Sequence, residues 1–136
     1  MQRPADNVYS HQIKITENDI DELGHVNNIV YVRWVQDASA AHWFHLVSEE
    51  VQQHYLWVVL RHEIDYLTSA LLQDEIIAYT WVGEHRGAKS ERLVQICDAH
   101  TNKIFAQAKT TWCLLSSKDL RPVRIDKEMM RILGRS

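Results

Sequence analysis

Bends and staples are scarce here: 136 residues carry only four glycines, two prolines and two cysteines. So few breakers exclude a collagen-like or low-complexity chain and leave room for long regular elements. Cys97 and Cys113 stand in strand-like surroundings with no CxxC or Cys/His spacing. That excludes a disulfide framework and a zinc ribbon, and predicts buried, reduced thiols. No apolar run approaches the roughly 18 residues that span a bilayer, so no membrane partner is expected. The start, Met1 to Asp6, lacks the apolar core of a secretory leader, and cytoplasm is the expected compartment. A formal net charge of −3 gives no electrostatic case for nucleic acid. The charge is uneven: from Lys118 to Ser136 six basic residues (Lys118, Arg121, Arg124, Lys127, Arg131, Arg135) face three acidic ones. A solvated helix face and tail account for that. With no internal repeat or linker, residues 1–136 are expected to form a single domain.

What is present is periodicity. Val8 to Thr16 reads as a first strand, with Ile13 and Ile15 alternating against Lys14 and Thr16. A polar turn, Glu17 to Gly24, precedes a helix from about Asn28 to Val47, roughly 30 Å long. Its expected apolar stripe is Tyr31, Trp34, Val35, Ala38, Ala41 and Phe44 or His45. Ser48-Glu49-Glu50 opens a short second helix through about His54. Leu56-Trp57-Val58-Val59-Leu60 is apolar throughout, the pattern of a strand buried on both faces. Strands follow over 76–82, 90–98 and 104–114, the last with Ile104, Ala106, Ala108, Thr110, Trp112 and Leu114 on one face. Asp126 to Leu133 reads as a terminal helix. One long early helix and a run of strands make an α+β chain, one antiparallel sheet covered by that helix.

Chemistry concentrates in Asp19-Ile20-Asp21-Glu22-Leu23-Gly24-His25-Val26-Asn27-Asn28, which runs directly into the long helix. Glycine allows backbone conformations that a Cβ forbids, and asparagine is a strong helix cap. A helix N-terminus offers unpaired amides with partial positive charge, suited to an anion or a developing oxyanion. A carboxylate and an imidazole beside it are parts that acyl transfer can use.

These residues resemble the signature of the 4-hydroxybenzoyl-CoA thioesterase-like branch of the hotdog-fold family, Asp-x-Asp-x-x-Gly-His-Val-Asn-Asn-x-x-Tyr. Ile64-Asp65-Tyr66, Asp74 and Arg121-Pro122 fit the same branch in order, so the resemblance spans about residues 8 to 130. It implies a hotdog fold, an antiparallel sheet wrapped around one long central helix. It implies an acyl-CoA thioesterase that needs no metal or redox cofactor, and self-association as a dimer or tetramer with sites between subunits. Asp21 matches the family's attacking carboxylate, acting as nucleophile or as general base; the sequence leaves both open. The amide of Asn28 matches the donor that polarises the thioester carbonyl. His25 keeps the aspartate–histidine spacing of plant acyl-carrier-protein thioesterases, where the histidine is catalytic. This chain has Leu23 where those enzymes carry an asparagine, and about Ser69 where they carry a further acid, so His25 is either acid/base helper or structural hydrogen-bonder.

Arg86, Lys89, Ser90 and Arg92 cluster at one hairpin, where the family contacts coenzyme A, and are the expected phosphate-binding group. His42 and His45 at i, i+3 meet no HExxH and no third ligand of fixed spacing, so no metal site is expected. Tyr31, Trp34, Trp43 and Trp57 can line an acyl pocket or simply pack the core. A hotdog hydratase or dehydratase, and a non-enzymatic acyl-CoA-binding module, are the rival readings. The first needs a histidine and an acid at the acyl α and β carbons, and the second needs an output domain. Neither the acyl group nor the choice between coenzyme A and acyl carrier protein can be read from the sequence.

Overall fold

The computed structural model describes residues 1–134, so Arg135 of the basic C-terminal stretch lies outside the described residues. Its elements are β1 (Tyr9–Ile13), a single 3-10 turn (Glu17–Asp19), α1 (Asn28–Leu46), α2 (Glu49–His54), β2 (Tyr55–Tyr66), β3 (Ile76–Arg86), β4 (Lys89–Asp98), β5 (Ile104–Ser116) and α3 (Lys127–Ile132). The strands pair antiparallel in the order β1-β3-β4-β5-β2, and α1 lies across one face of the sheet. This is the hotdog arrangement that the resemblance implies. No helix among the described residues is long and apolar enough to cross a membrane.

Register decides which side chains meet α1. Val94 pairs with Thr80 on one side and Ala108 on the other, and Ile96 with Ala78 and Ala106; all six side chains are essentially inaccessible. The small alanines opposite valine and isoleucine let the helix approach closely, and Val30, Tyr31, Trp34, Val35 and Ala38 fill that space. A second apolar cluster, with Trp43, Val47, Val82, Leu114, Ile125 and Met129, closes the far end of α1 under α3.

Two expectations need correction. The stripe of α1 drifts in its last turns: His42 and Trp43 are buried, whereas Phe44 is 57% exposed and His45 is exposed. Buried positions 31, 35, 38 and 42 follow the 3.6-residue period over eleven residues, and that period carries Phe44 off the packed face. The apolar run Leu56–Leu60 is not buried on both faces. β2 is an edge strand, and Leu56, Val58 and Leu60 are exposed. Its inner side faces the core cluster of Trp43 and Trp57; its outer side and its unpaired backbone edge are uncovered.

Candidate active site

The loop before α1 is fixed almost entirely by its own backbone. Asp21 N donates to His25 O at 2.7 Å, Gly24 N to Asp21 O at 3.1 Å, and Ile20 pairs with Val26 across the neck. Gly24 sits at φ +77 with nothing within 4 Å of where a Cβ would be. Conformation, not space, requires glycine there. Val26 N bonds Ala70 O at 2.9 Å, tying the loop to the segment after β2. Asn27 is the N-cap, its side chain accepting from Ile29 N at 3.1 Å, and Asn28 is the first helical residue. Tyr66 donates its hydroxyl to Asn28 O at 3.3 Å, so the end of β2 abuts the start of α1.

Two carboxylates two residues apart have opposite environments. Asp19 is 2% exposed; its carboxylate accepts from Thr16 N at 2.9 Å and from Arg33 at 2.8 Å. Burial alone would raise its pKa, but the Thr16 amide and the Arg33 guanidinium outweigh it and hold the carboxyl below its usual value. Asp21 is half-buried, and its Oδ1 accepts from Leu23 N at 2.9 Å and His25 N at 3.1 Å. Its Oδ2 takes no hydrogen bond among the described residues. Asp19 anchors the loop to α1. Asp21 keeps one oxygen pinned and one without a hydrogen bond among the described residues. His25 is held by its main chain on both sides, while its imidazole makes no hydrogen bond among the described residues.

The hairpin residues divide into two groups. Arg86 and Lys89 are cross-strand partners flanking the Gly87–Ala88 turn and are exposed. Ser90 and Arg92 point to the inner face and are buried, 6% and 7% exposed. The hairpin lies at the opposite end of the sheet from the motif loop, because β3 runs its 11 residues from the neighbourhood of that loop to Arg86. At about 3.3 Å per residue that is on the order of 35 Å. Within one chain the structure bonds Asp21 to His25, with Asn28 three residues further on at the start of α1, and leaves Arg86 and Lys89 far from them.

Sequence reasoning missed a polar band across the inner face. Arg92 pairs with Thr110, and Thr110 with His62, in adjacent strands. Arg92 Nη1 donates to His42 Nδ1 at 2.7 Å and to Thr80 Oγ1 at 3.2 Å. Guanidinium only donates, so His42 Nδ1 is an acceptor and the ring is neutral. Burial first, then Arg92 and His45, push His42 down to about 4; burial pushes Arg92 down to about 10, still charged at neutral pH. His62 bonds Thr110 at 2.8 Å and Gln36 at 3.3 Å, and its pKa is also lowered by burial. The signal was available: Ser90, Arg92, Val94 and Ile96 alternate in β4, and His42 continues the 31, 35, 38 stripe. On the hairpin side of the band lies a cavity of about 250 Å³, lined by Trp43, Phe44, Leu56, Trp57, Ser90, Arg92 and Trp112 among others. Tyr31 and Trp34 pack the core instead.

A family model described as the thioesterase-like superfamily matches residues 15–133. Among solved structures, a probable thioesterase from Escherichia coli, YbaW, is similar at 22% identity and TM-score 0.78, covering 91% of this chain and 95% of that one. A 1,4-dihydroxy-2-naphthoyl-CoA thioesterase from Synechocystis, Slr0204, is similar at 11% identity and TM-score 0.79, covering 93% and 96%. A thioesterase from Thermus thermophilus, complexed with coenzyme A and Zn, is similar at 21% identity and TM-score 0.78, covering 91% and 95%. At such identities the likeness establishes the fold. No curated protein matches by sequence.

Proposed function

The chain belongs to the thioesterase-like superfamily, which makes thioester hydrolysis its reaction class, and we propose that it cleaves acyl-coenzyme A through Asp21. The observation that carries this reading is the contrast within the motif: Asp19 is spent on Arg33 and Thr16, whereas Asp21 has a free oxygen at the mouth of α1. In the proposed arrangement the thioester carbonyl oxygen lies at the first turn of α1. The Asn28 amide, which has no helical acceptor, donates to it as negative charge develops. Asp21 Oδ2 either attacks the carbonyl carbon, giving an anhydride that water opens, or takes the proton of an attacking water. Both routes release a free acid and a thiol, and the departing sulfur collects the proton. His25, tied to Asp21 through the backbone, helps move it.

Residues 1–136 act as one hotdog unit, and the unit self-associates through β2. This strand has 12 residues, one unpaired edge and three exposed aliphatic side chains, features that favour strand-to-strand pairing. Its Tyr66 end touches the start of α1, and its Trp57 end packs on Trp43 near the other end of α1. A two-fold antiparallel pairing of β2 edges would set the Asp21 end of one subunit against the cavity and hairpin end of its partner. Arg86 and Lys89 would then meet the phosphates of a coenzyme A whose thioester lies at Asp21 of the other subunit, with Ser90 and Arg92 turned toward the acyl part.

A thiol-release assay of the purified chain tests this, across aromatic, short-chain, long-chain and carboxylate-ended acyl-CoAs and one acyl carrier protein thioester. Release from at least one acyl-CoA is expected. Release from none of them overturns the reading, and release from the carrier protein alone changes the carrier. Sedimentation should give a dimer or tetramer; a monomer with full activity would rule out a site shared between subunits.

A further inference from the structure

Arg92 is a buried cation with no counter-ion among the described residues. Its side chain is 7% exposed, and no carboxylate pairs with it among the described residues. The two hydrogens of Nη1 go to neutral acceptors, His42 Nδ1 and Thr80 Oγ1. The Nε and Nη2 nitrogens keep some solvent contact, and their hydrogens have no acceptor among the described residues. Nor does the indole N–H of Trp112, a buried donor in the described chain with no partner. Both residues line the 250 Å³ cavity, and they are diagonal neighbours on the inner face because Ser90, two residues before Arg92, pairs with Trp112. The rest of the lining is largely aromatic and aliphatic: Trp43, Phe44, Leu56 and Trp57.

A desolvated guanidinium is expensive unless an anion meets it, and a buried N–H without an acceptor adds to the same demand. Water could accept those hydrogens but would not neutralise the charge. What satisfies all of these groups is an occupant with a carboxylate at one end and an apolar body. We propose that the cavity takes an acyl group that ends in a carboxylate, so that the substrate is the monothioester of a dicarboxylic acid, its thioester at Asp21 of one subunit and its free end bound in the cavity of the other by Arg92 with Trp112 Nε1. This rests on the thioesterase reading above and adds the substrate class. The acyl group enters past Phe44 and Leu56, both exposed at the rim, and its apolar stretch lies against Trp43 and Trp57. A charge-assisted bond from Arg92 fixes the end of the chain, and so selects its length. Acyl groups without an acidic end would leave the guanidinium buried and unpaired, which is a penalty and not merely a missing attraction.

Adipoyl-, suberoyl- and sebacoyl-CoA are the probes, each compared with its terminal methyl ester, which keeps length and shape and removes the charge. With the wild-type chain, at least one free acid should exceed its ester roughly tenfold or more in kcat/KM. Arg92→Met should abolish that preference, Arg92→Lys should keep part of it, and Trp112→Phe should reduce it a few-fold. Equal cleavage of acids and esters by the wild type overturns the proposal without any variant needing to fold. So does a preference that survives in folded Arg92→Met. A second readout is independent of hydrolysis: binding of free adipate, suberate or sebacate followed by tryptophan fluorescence, since Trp43, Trp57 and Trp112 line the cavity. Binding that needs Arg92, in a chain that cleaves no thioester, would sink the thioesterase reading and with it the substrate class, leaving only a dicarboxylate-binding cavity. Cleavage without any dicarboxylate binding would do the reverse.

Discussion

The two ends of α1 solve opposite problems. At its N-terminus the loop 21–25 is held by backbone bonds, a positive-φ glycine and an asparagine cap, with little burial, and it presents an unpaired carboxylate oxygen. Under its C-terminal half, His42, Arg92, Thr80, Thr110 and His62 form a polar band between two apolar clusters, and its members come from α1 and four strands. The loop can lose a charge without losing its shape. The band cannot, because each polar group there is the condition for burying the next. We assign chemistry to the first region, and stability and selectivity to the second.

The band should make stability depend on pH. His42 is neutral in the fold with its pKa near 4, against 6.5 when unfolded, so as pH falls the unfolded chain takes the proton first. Stability is then full above about 6.5 and declines toward 4, by about 2 kcal/mol between pH 7 and pH 5. His62, also lowered, adds in the same direction. Urea unfolding at the two pH values measures this, and His42→Gln should flatten the slope. A wild-type stability that does not change over that range would remove the distinction between the regions.

Asp19 belongs to the loop by sequence and to the core by burial. Asp19→Asn should lower unfolding free energy by about 1–2 kcal/mol, since Arg33 loses its partner and one buried acceptor becomes a donor. Thermal melts would show it; no shift would mean that Asp19 holds nothing. His25→Ala should leave the melt unchanged and slow thioester cleavage about tenfold to a hundredfold. A loss as large as removal of the Asp21 charge would make the pair a joint acid/base unit. The smallest effect is expected at the exposed hairpin. Arg86→Ala with Lys89→Ala should raise KM for an acyl-CoA about tenfold at most, more at low salt, with kcat within a few-fold. An unchanged KM would put the phosphates elsewhere.

The motif loop was legible because its parts are contiguous: Asp21, Gly24 and His25 meet through bonds that span four residues or fewer, and Asn27 and Asn28 follow directly as cap and first helical residue. The order of elements was legible too, since each strand and helix carries its own period. The band was not, because Arg92 and His42 are 50 residues apart and meet only once the register of β3, β4 and β5 is set. In sequence Arg92 reads as one more cation beside Arg86 and Lys89; one step of strand alternation turns it inward. The edge position of β2 was hidden for a related reason. An apolar run shows that both faces are hydrophobic, not that both are covered within the chain.

The central claim is that the charge on Asp21 does chemistry in a loop whose shape does not depend on it. Asp21→Asn tests it most directly, because the amide oxygen can still accept from Leu23 N and His25 N while the negative charge is gone. A melt within about 0.5 kcal/mol of wild type is expected. Also expected is a loss of at least about a hundredfold in thioester cleavage, roughly 2.7 kcal/mol of barrier. A folded Asp21→Asn variant that cleaves its best acyl-CoA at near the wild-type rate would contradict the claim.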